Sequence, residues 1–353
     1  MRSAQSRWHI ERSGNFDDAD VPQDMPTIPA MSGEAERRYY YWLARRFSGK
    51  GAIVEIGPWL GASTAYIAAG IRDSGVAAKV DVFDRFLWRV GAGWESKEVG
   101  ARSSGESFLE EFRANLGALM DFVDVHQGGI DDILWERGSV ELLFLDAPKR
   151  TPEISRVLTT FGPSMIPGQS VMVWQDFGHF PSYAIPASLS RLWDLIEPVH
   201  VVVPGSTVGL RVKKQWSNTQ VSEEALDLQR WTPEEIDGAW EQWMSILPEN
   251  KRPLFLCGSV MFLHDIGEMQ LAQERLQALL DTDDNIIKRK WEHLAKSSLL
   301  KRYPLLFEQF YRQQGRIEEF YRRHDLTKSL PERIKRGLRD RIDQLSTMLR
   351  GRS

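Results

Sequence analysis

The sequence is poor in cysteine, since Cys257 is the only one in 353 residues. A single thiol cannot form an internal disulfide, and it offers no cysteine-based metal site. No stretch approaches the roughly 20 consecutive apolar residues that a membrane-spanning helix needs. The first residues also lack the apolar core of a secretory signal peptide. These absences argue against a disulfide-rich secreted protein or a membrane span, and they favour a reducing, cytoplasmic setting.

The overall composition is typical of a globular protein. Hydrophobic residues make up 42% of the chain and charged residues 27%, which is enough apolar sequence for a sizeable core. At about 100–200 residues per domain, the length predicts two domains.

The net charge of −4 hides an asymmetry along the chain. Residues 284–353 hold 18 Lys/Arg and 9 Asp/Glu, a net of +9, so the other residues hold 27 against 40, a net of −13. Solvated basic faces of terminal helices explain the imbalance. The alternative is an anionic partner, because clustered positive charge attracts phosphates or anionic surfaces at long range.

The hydrophobic pattern predicts three regions. Residues 1–32 are polar and proline-containing, and we expect an irregular N-terminal arm. Residues 33–217 alternate helix-like stretches with short apolar runs, which is typical of a parallel sheet covered on both faces. The runs are 52–56, 80–83, 122–125, 142–145 and 170–174, and 199–203 with 208–212 form a closing hairpin. The predicted fold class is α/β, with a Rossmann-like, mostly parallel seven-stranded sheet.

From residue 218 onwards the pattern becomes helical and predicts an all-helical C-terminal domain, 218–353. The predicted helices are 232–247, 254–281, 283–300, 303–323 and 331–350. In the last of them an apolar stripe, Leu338, Ile342, Leu345 and Leu349, recurs at helical spacing. Such a stripe usually faces a core, and a coiled-coil contact that forms a homo-oligomer is the alternative.

The strongest chemical signal is a strand, a glycine-containing turn and a helix start between Ile53 and Thr64. Gly57 permits a tight turn after the strand, and Gly61 permits a ligand to approach the main chain. Unpaired N–H groups at the helix start suit an anion. Asp84 ends the next strand, where an acidic side chain in such folds accepts hydrogen bonds from ribose hydroxyls.

The pattern Glu55-x-Gly57-x-x-x-Gly61, with Trp59 inside it and Ser63 after it, resembles the first motif of class I S-adenosylmethionine-dependent methyltransferases. It is most similar to the catechol and caffeoyl-CoA O-methyltransferase branch and to the related sugar O-methyltransferases of macrolide pathways. The resemblance implies S-adenosyl-L-methionine as cofactor. It places Glu55 near the methionine part, Ser63 at the carboxylate and Trp59 in the cofactor turn.

The same resemblance assigns the other end of the cofactor. It implies that Asp84 holds the ribose. The stretch from Gly128 to Asp132 follows the third strand and matches the adenine-side loop of the family. Asp131 is the candidate for the exocyclic amine, with Asp132 as its competitor.

Asp146 and Lys149 follow the fourth strand, at the sheet edge where open α/β folds place ligands. The cation-dependent branch has the same Asp-x-x-Lys arrangement, which implies that Asp146 binds Mg²⁺ and Lys149 acts as the base. A dication bound through oxygen lowers the pKa of an acceptor hydroxyl, and burial beside the metal lowers that of the lysine. A surface turn without chemistry is the alternative.

The fifth strand ends in Gln175 and Asp176, where the family has Asp-Asn or Asp-Asp as metal ligands. Gln175 is a neutral and weaker oxygen ligand, so Asp146 and Asp176 provide two carboxylates where some relatives have three. His179 offers a different mechanism, in which imidazole acts as general base without a metal. A structural role for His179 is the alternative.

A long glycine-rich connection, residues 85–106, follows Asp84. Connections of this length inside a compact domain are usually functional lids or insertions. Its Trp88 and Trp94 could stack on a sugar or aromatic acceptor, or could simply anchor the loop.

The predicted function is therefore methyl transfer from S-adenosylmethionine to a hydroxyl of a small molecule or glycan. A catalytically idle scaffold with a helical interaction module is the second hypothesis, because Gln175 departs from the family pattern. The basic tail suggests a nucleic-acid methyltransferase as a third. The sequence lacks the Asn/Asp-Pro-Pro-aromatic motif of amino-methylating enzymes and the aromatic-basic surface of nucleic-acid binders, so we do not expect a nucleic-acid partner.

Overall fold

The computed structural model describes residues 11–12, 16, 19–90, 99–100, 102–282, 284–295 and 299–323. A single sheet forms in the order β1-β7-β8-β6-β5-β2-β3-β4. Its strands are β1 Glu11–Arg12, β2 Ala52–Ile56, β3 Val80–Asp84, β4 Val123–Gln127, β5 Val140–Leu145, β6 Val171–Trp174, β7 Ile196–Val201 and β8 Val208–Val212.

Twelve helices occur in the described residues. They are α1 Glu34–Arg45, α2 Ala62–Ser74, α3 Leu109–Leu116, α4 Thr151–Phe161, α5 Ala184–Ser190, α6 Pro233–Met244, α7 Arg252–Asp265, α8 Met269–Asp281, α9 Asn285–Leu294, α10 Leu299–Arg302, α11 Pro304–Gln313 and α12 Ile317–Arg323. None of the described helices is long and apolar enough to cross a membrane.

The predicted seven-stranded, mostly parallel sheet is confirmed. The strands from β2 to β6 pair in parallel, and β8 pairs antiparallel with both β6 and β7. All six residues of β5 are buried, as a central strand covered on both faces requires. The N-terminal arm, which we expected to be irregular, adds an eighth strand, because β1 pairs in parallel with β7 through His200 and Val201.

The chain divides into two compact units, residues 1–268 and 269–353. The strands and the helices α1–α7 lie in the first unit. Within it, Trp243 of α6 donates a 2.9 Å hydrogen bond to the carbonyl of Pro186, and its ring meets Phe177 edge to face at 4.8 Å. Residues 218–268, which we assigned to the C-terminal domain, are thus part of the first unit.

The second unit contains α8–α12, and α11 packs on α8. The predicted helical stretch 254–281 is two helices, α7 and α8, which belong to different units. The predicted helix 331–350 and its apolar stripe lie outside the described residues.

Candidate active site

Unusual backbone conformations gather near the carboxyl edge of the parallel strands. Among the described residues, three other than glycine have positive φ angles: Trp59 at 47°, Phe86 at 53° and Asp176 at 58°. They follow β2, β3 and β6. Since such conformations cost energy and cluster at functional sites, this edge is the first place to look for chemistry.

The turn after β2 requires both of its glycines. Gly57 has φ 86°, and a Cβ there would lie 2.8 Å from the backbone nitrogen of Ala147. Gly61 has φ 96° and precedes α2, and a Cβ there would meet the ring of Phe112 at 3.1 Å. In the part of the chain that the structure describes, no side chain caps the N-terminus of α2, and such a helix start suits an anionic ligand.

Glu55 is buried in β2, directly before this turn. Its carboxylate accepts a 2.6 Å hydrogen bond from the hydroxyl of Thr64 in α2. Burial raises the pKa of Glu55 to about 7, while hydrogen bonds from Ser63 and Thr64 act in the opposite direction. The carboxyl group therefore changes charge near neutral pH.

Asp84 ends β3 as expected. Its Oδ1 accepts a 2.6 Å hydrogen bond from the backbone N–H of Phe86, which fixes the side chain at the sheet edge. Burial raises the pKa of Asp84 to about 6, against that hydrogen bond, and the negative charge of Asp146 raises it further.

The adenine-side loop distinguishes the two candidate aspartates. Asp132 accepts a 2.8 Å hydrogen bond from the backbone N–H of Gly129, so its carboxylate holds the loop together. Asp131 is exposed. Asp132 is exposed as well, so only this hydrogen bond separates the two aspartates, and Asp131 stays the predicted partner of the exocyclic amine.

A small pocket lies at this edge. It joins predicted cofactor residues to predicted acceptor-side residues in one cavity. Its lining is Tyr40, Glu55, Ile56, Ser63, Phe144, Leu145, Asp146, Val173 and Gln175. Tyr40 is the residue that sequence analysis missed, because the aromatic run of α1 indicates a buried helix face without indicating what that face covers.

Lys149 lies between two carboxylates. Its Nζ is 2.5 Å from Oδ2 of Asp176 and 3.3 Å from Oδ1 of Asp146. Burial disfavours the charged ammonium, but the two carboxylates outweigh burial and raise the pKa of Lys149 above its ordinary value. The expected lowering depended on a bound metal, and this arrangement of side chains opposes it.

Asp146 also differs from an ordinary surface carboxylate. Burial raises its pKa, and the charge of Asp176 adds to that effect while Lys149 counteracts it. Its Oδ1 is buried and has no hydrogen bond, although the ammonium of Lys149 is within ion-pair distance.

The donor set does not fit a divalent cation well. The hydroxyl of Tyr40 donates a 2.7 Å hydrogen bond to Oε1 of Gln175, the oxygen that would bind a metal. Oδ1 of Asp146 and Oδ2 of Asp176 face the ammonium of Lys149. In the part of the chain that the structure describes, no three His, Cys, Asp or Glu side chains are grouped to hold a metal ion.

His179 lies on the turn after β6 and is half-buried. Its backbone N–H donates a 3.0 Å hydrogen bond to the carbonyl of Asp176, and its Nδ1 is 3.4 Å from the hydroxyl of Ser182. The ring does not line the pocket. The turn therefore places His179 close in sequence to Asp176, which with Asp146 and Lys149 forms the charged cluster of this edge.

The long connection after β3 is tied down at its base. The backbone N–H of Trp88 donates a 2.8 Å hydrogen bond to Glu106, and the guanidinium of Arg102 lies 4.8 Å from the Trp88 ring centroid. Trp88 is 1% exposed. Of its two expected roles, anchoring the loop is the one it performs. Trp94 lies outside the described residues.

The segment that contains these strand ends matches a known protein family. Residues 54–177 match a family described as a methyltransferase domain. The match begins inside β2 and ends after Asp176, so it contains the glycine turn, Asp84 and the charged cluster. No curated protein sequence matches the chain.

The solved structures to which the chain is similar include the following three. The O-methyltransferase NovP is 17% identical, with a TM-score of 0.42 over 52% of this chain and 81% of its own. Cofactor-bound Rv0187 from MTB is 18% identical, with a TM-score of 0.39 over 57% and 87%. The calicheamicin methyltransferase CalS11 is 16% identical, with a TM-score of 0.34 over 50% and 77%.

Proposed function

We propose that the protein is an S-adenosylmethionine-dependent O-methyltransferase, because residues 54–177 match a family described as a methyltransferase domain. The acceptor is a hydroxyl group of a small molecule or glycan. The observation that carries the proposal is the shared pocket, where Glu55 and Ser63 of the cofactor turn line the same cavity as Asp146 and Gln175. Methyl transfer requires this proximity, since the sulfonium methyl and the acceptor oxygen must meet in line.

The edge formed by β2, β3 and β4 would hold the cofactor. Ser63 and the open N-terminus of α2 would bind its carboxylate, since N–H groups and the helix dipole favour an anion. Asp84 accepts hydrogen bonds from the ribose hydroxyls, and Asp131 accepts one from the adenine amine. Glu55 lies beside the methionine part, where a carboxylate attracts positive charge.

The acceptor lies over the ends of β5 and β6. The cofactor supplies an electrophilic methyl group, and the acceptor hydroxyl must lose its proton to a base. Lys149 is held as an ammonium by Asp146 and Asp176, so we assign it to hydrogen-bond donation toward the acceptor oxygen. The candidate proton acceptor is His179, which lies on the turn after Asp176 and outside the pocket lining, because an imidazole can take up a proton near neutral pH. The alternative is Mg²⁺ assistance with Lys149 as base.

Calorimetric titration with S-adenosylhomocysteine tests the cofactor claim. We expect binding by the full chain and about tenfold weaker binding by Asp84→Asn, because a charged hydrogen-bond acceptor becomes neutral. Asp121→Asn is the matched control, because Asp121 is an exposed aspartate near the start of β4. Absence of binding at millimolar S-adenosylhomocysteine would contradict the proposal.

The variant Lys149→Ala distinguishes the proposed enzyme from the idle-scaffold hypothesis. An enzyme of this class must lose function in Lys149→Ala, whereas a scaffold that binds the cofactor must retain its cellular function in that variant. Salt-dependent binding of RNA or DNA by the full chain would support the nucleic-acid alternative.

A further inference from the structure

Two carboxylates from neighbouring strand ends converge on one amino group. Asp146 and Lys149 follow β5, and Asp176 follows β6, which pairs with β5 in parallel. The Nζ of Lys149 is 2.5 Å from Oδ2 of Asp176 and 3.3 Å from Oδ1 of Asp146. The ammonium thus lies at the position between the carboxylates where a cation would bind.

The third predicted metal ligand, the amide oxygen of Gln175, also has a hydrogen-bond partner. Oε1 of Gln175 accepts the hydroxyl hydrogen of Tyr40 at 2.7 Å. A cation approaching that oxygen would meet a hydrogen that carries partial positive charge. Tyr40 and Gln175 are both buried, so water cannot readily replace this hydrogen bond.

The charge count agrees with the geometry. Asp146 and Asp176 carry two negative charges, and Lys149 neutralises one of them. A divalent ion bound beside the ammonium would bring three positive charges against two negative charges in a partly desolvated site. Unbalanced charge of this kind is costly away from bulk water.

We propose that the ammonium of Lys149 replaces the divalent cation in this site, so that Asp146, Lys149 and Asp176 hold the acceptor oxygen without a metal. This inference deepens the proposed function and rests on it. An ammonium has three N–H donors, of which one donates to Asp176 while Asp146 is held by an ion pair. Another can donate to the acceptor oxygen, where it stabilises developing negative charge as a cation would.

Mn²⁺ titration followed by electron paramagnetic resonance tests the replacement without relying on turnover. The wild-type chain is expected to bind Mn²⁺ at least about tenfold more weakly than Lys149→Met, because removing the ammonium frees two carboxylates for a hard cation. The gain is expected to disappear in the double variant Lys149→Met, Asp176→Asn. Lys79→Met is the matched control, since Lys79 pairs with Asp124 at 3.1 Å outside the pocket.

Two results would overturn the proposal. The first is Mn²⁺ binding by the wild-type chain that is lost in Asp176→Asn. The second is a folded Lys149→Met variant that binds Mn²⁺ no better than wild type does. If circular dichroism shows that Lys149→Met does not fold, the wild-type comparison with Asp176→Asn decides, and equal Mn²⁺ affinities support the proposal.

The test of this inference can fail while the test of the proposed function succeeds. S-adenosylhomocysteine binding tests the methyltransferase function, and Mn²⁺ binding tests the cation site. Cofactor binding together with a wild-type Mn²⁺ site at Asp176 would retain the function and reject the replacement. Where methyl transfer is measurable, a rate unchanged by EDTA supports the replacement, and loss of activity that Mg²⁺ restores contradicts it.

Discussion

The hydroxyl of Tyr40 donates a 2.7 Å hydrogen bond to Oε1 of Gln175, and it thereby joins helix α1 to the residue that follows strand β6. Both side chains are buried and both line the pocket. This bond orients the amide of Gln175 and the face that the amide presents to the pocket. Helix α1 lies outside the segment matched by the methyltransferase family, yet it completes the site.

Replacing Tyr40 with phenylalanine tests that role. We expect Tyr40→Phe to lower kcat/KM about tenfold with little change in the S-adenosylhomocysteine Kd, because the acceptor side is disturbed and the cofactor side is not. Loss of a buried hydrogen bond is also expected to lower the free energy of unfolding by about 1–3 kcal/mol. Steady-state kinetics, calorimetry and urea denaturation measure the three quantities.

Tyr41→Phe is the control on the same helix. Tyr41 donates a 2.9 Å hydrogen bond to Asp73, away from the pocket, so its loss is expected to leave kcat/KM unchanged. Equal kinetic effects of the two variants would assign the Tyr40 hydroxyl to stability alone.

Local sequence patterns predicted the central strands well, because each of them is a short apolar run in its own sequence. The bounds of β2 and β8 match the predicted runs, since Gly or Pro lies close to both. Asp84 could be placed at a strand end because it closes the apolar run of β3. The two-residue strand β1 could not be predicted, because two residues carry no periodicity and its pairing depends on the distant β7.

The chemistry of the site depended on contacts that the sequence does not encode locally. Lys149 and Asp176 are 27 residues apart and meet only because β5 and β6 are neighbours. The motif suggested a lysine that gives up its proton, whereas the second carboxylate stabilises the ammonium. Tyr40 reaches Gln175 across 135 residues, and only the packing of α1 reveals that contact.

Glu55 is expected to make cofactor binding depend on pH. Burial raises its pKa to about 7, so the carboxylate gains negative charge as pH rises through neutrality. Since S-adenosylmethionine carries positive charge near its methionine end, its affinity is expected to rise by up to about tenfold between pH 6 and pH 8. Calorimetry across this range measures the effect.

Glu55→Gln removes the titrating group and keeps a hydrogen-bond acceptor for Thr64. The affinity of this variant is expected to be nearly independent of pH above pH 7. Glu110→Gln, which changes a surface residue paired with Arg113, is the control and should retain the wild-type profile. A Glu55→Gln profile with the wild-type slope would place the titration on another group.

His200 is expected to weaken the fold in acid. Burial, together with the nearby charges of Arg211 and Arg46, lowers its pKa from 6.5 to about 4 in the folded chain. Between these two values the unfolded chain takes up a proton that the folded chain resists, so the free energy of unfolding falls as pH decreases from 6.5 to 4. The full difference is about 3 kcal/mol, from roughly 1.4 kcal/mol per pKa unit.

Urea denaturation of His200→Gln at pH 7 and pH 4.5 measures this contribution. The variant loses stability at pH 7, because the 2.9 Å hydrogen bond between His200 Nδ1 and the hydroxyl of Tyr39 is disturbed. Its further loss on acidification is expected to be smaller than that of wild type, since it has no imidazole to protonate. His293→Gln changes an exposed histidine and should retain the wild-type acid response. Equal acid responses in His200→Gln and wild type would show that carboxylates, and not His200, account for the loss.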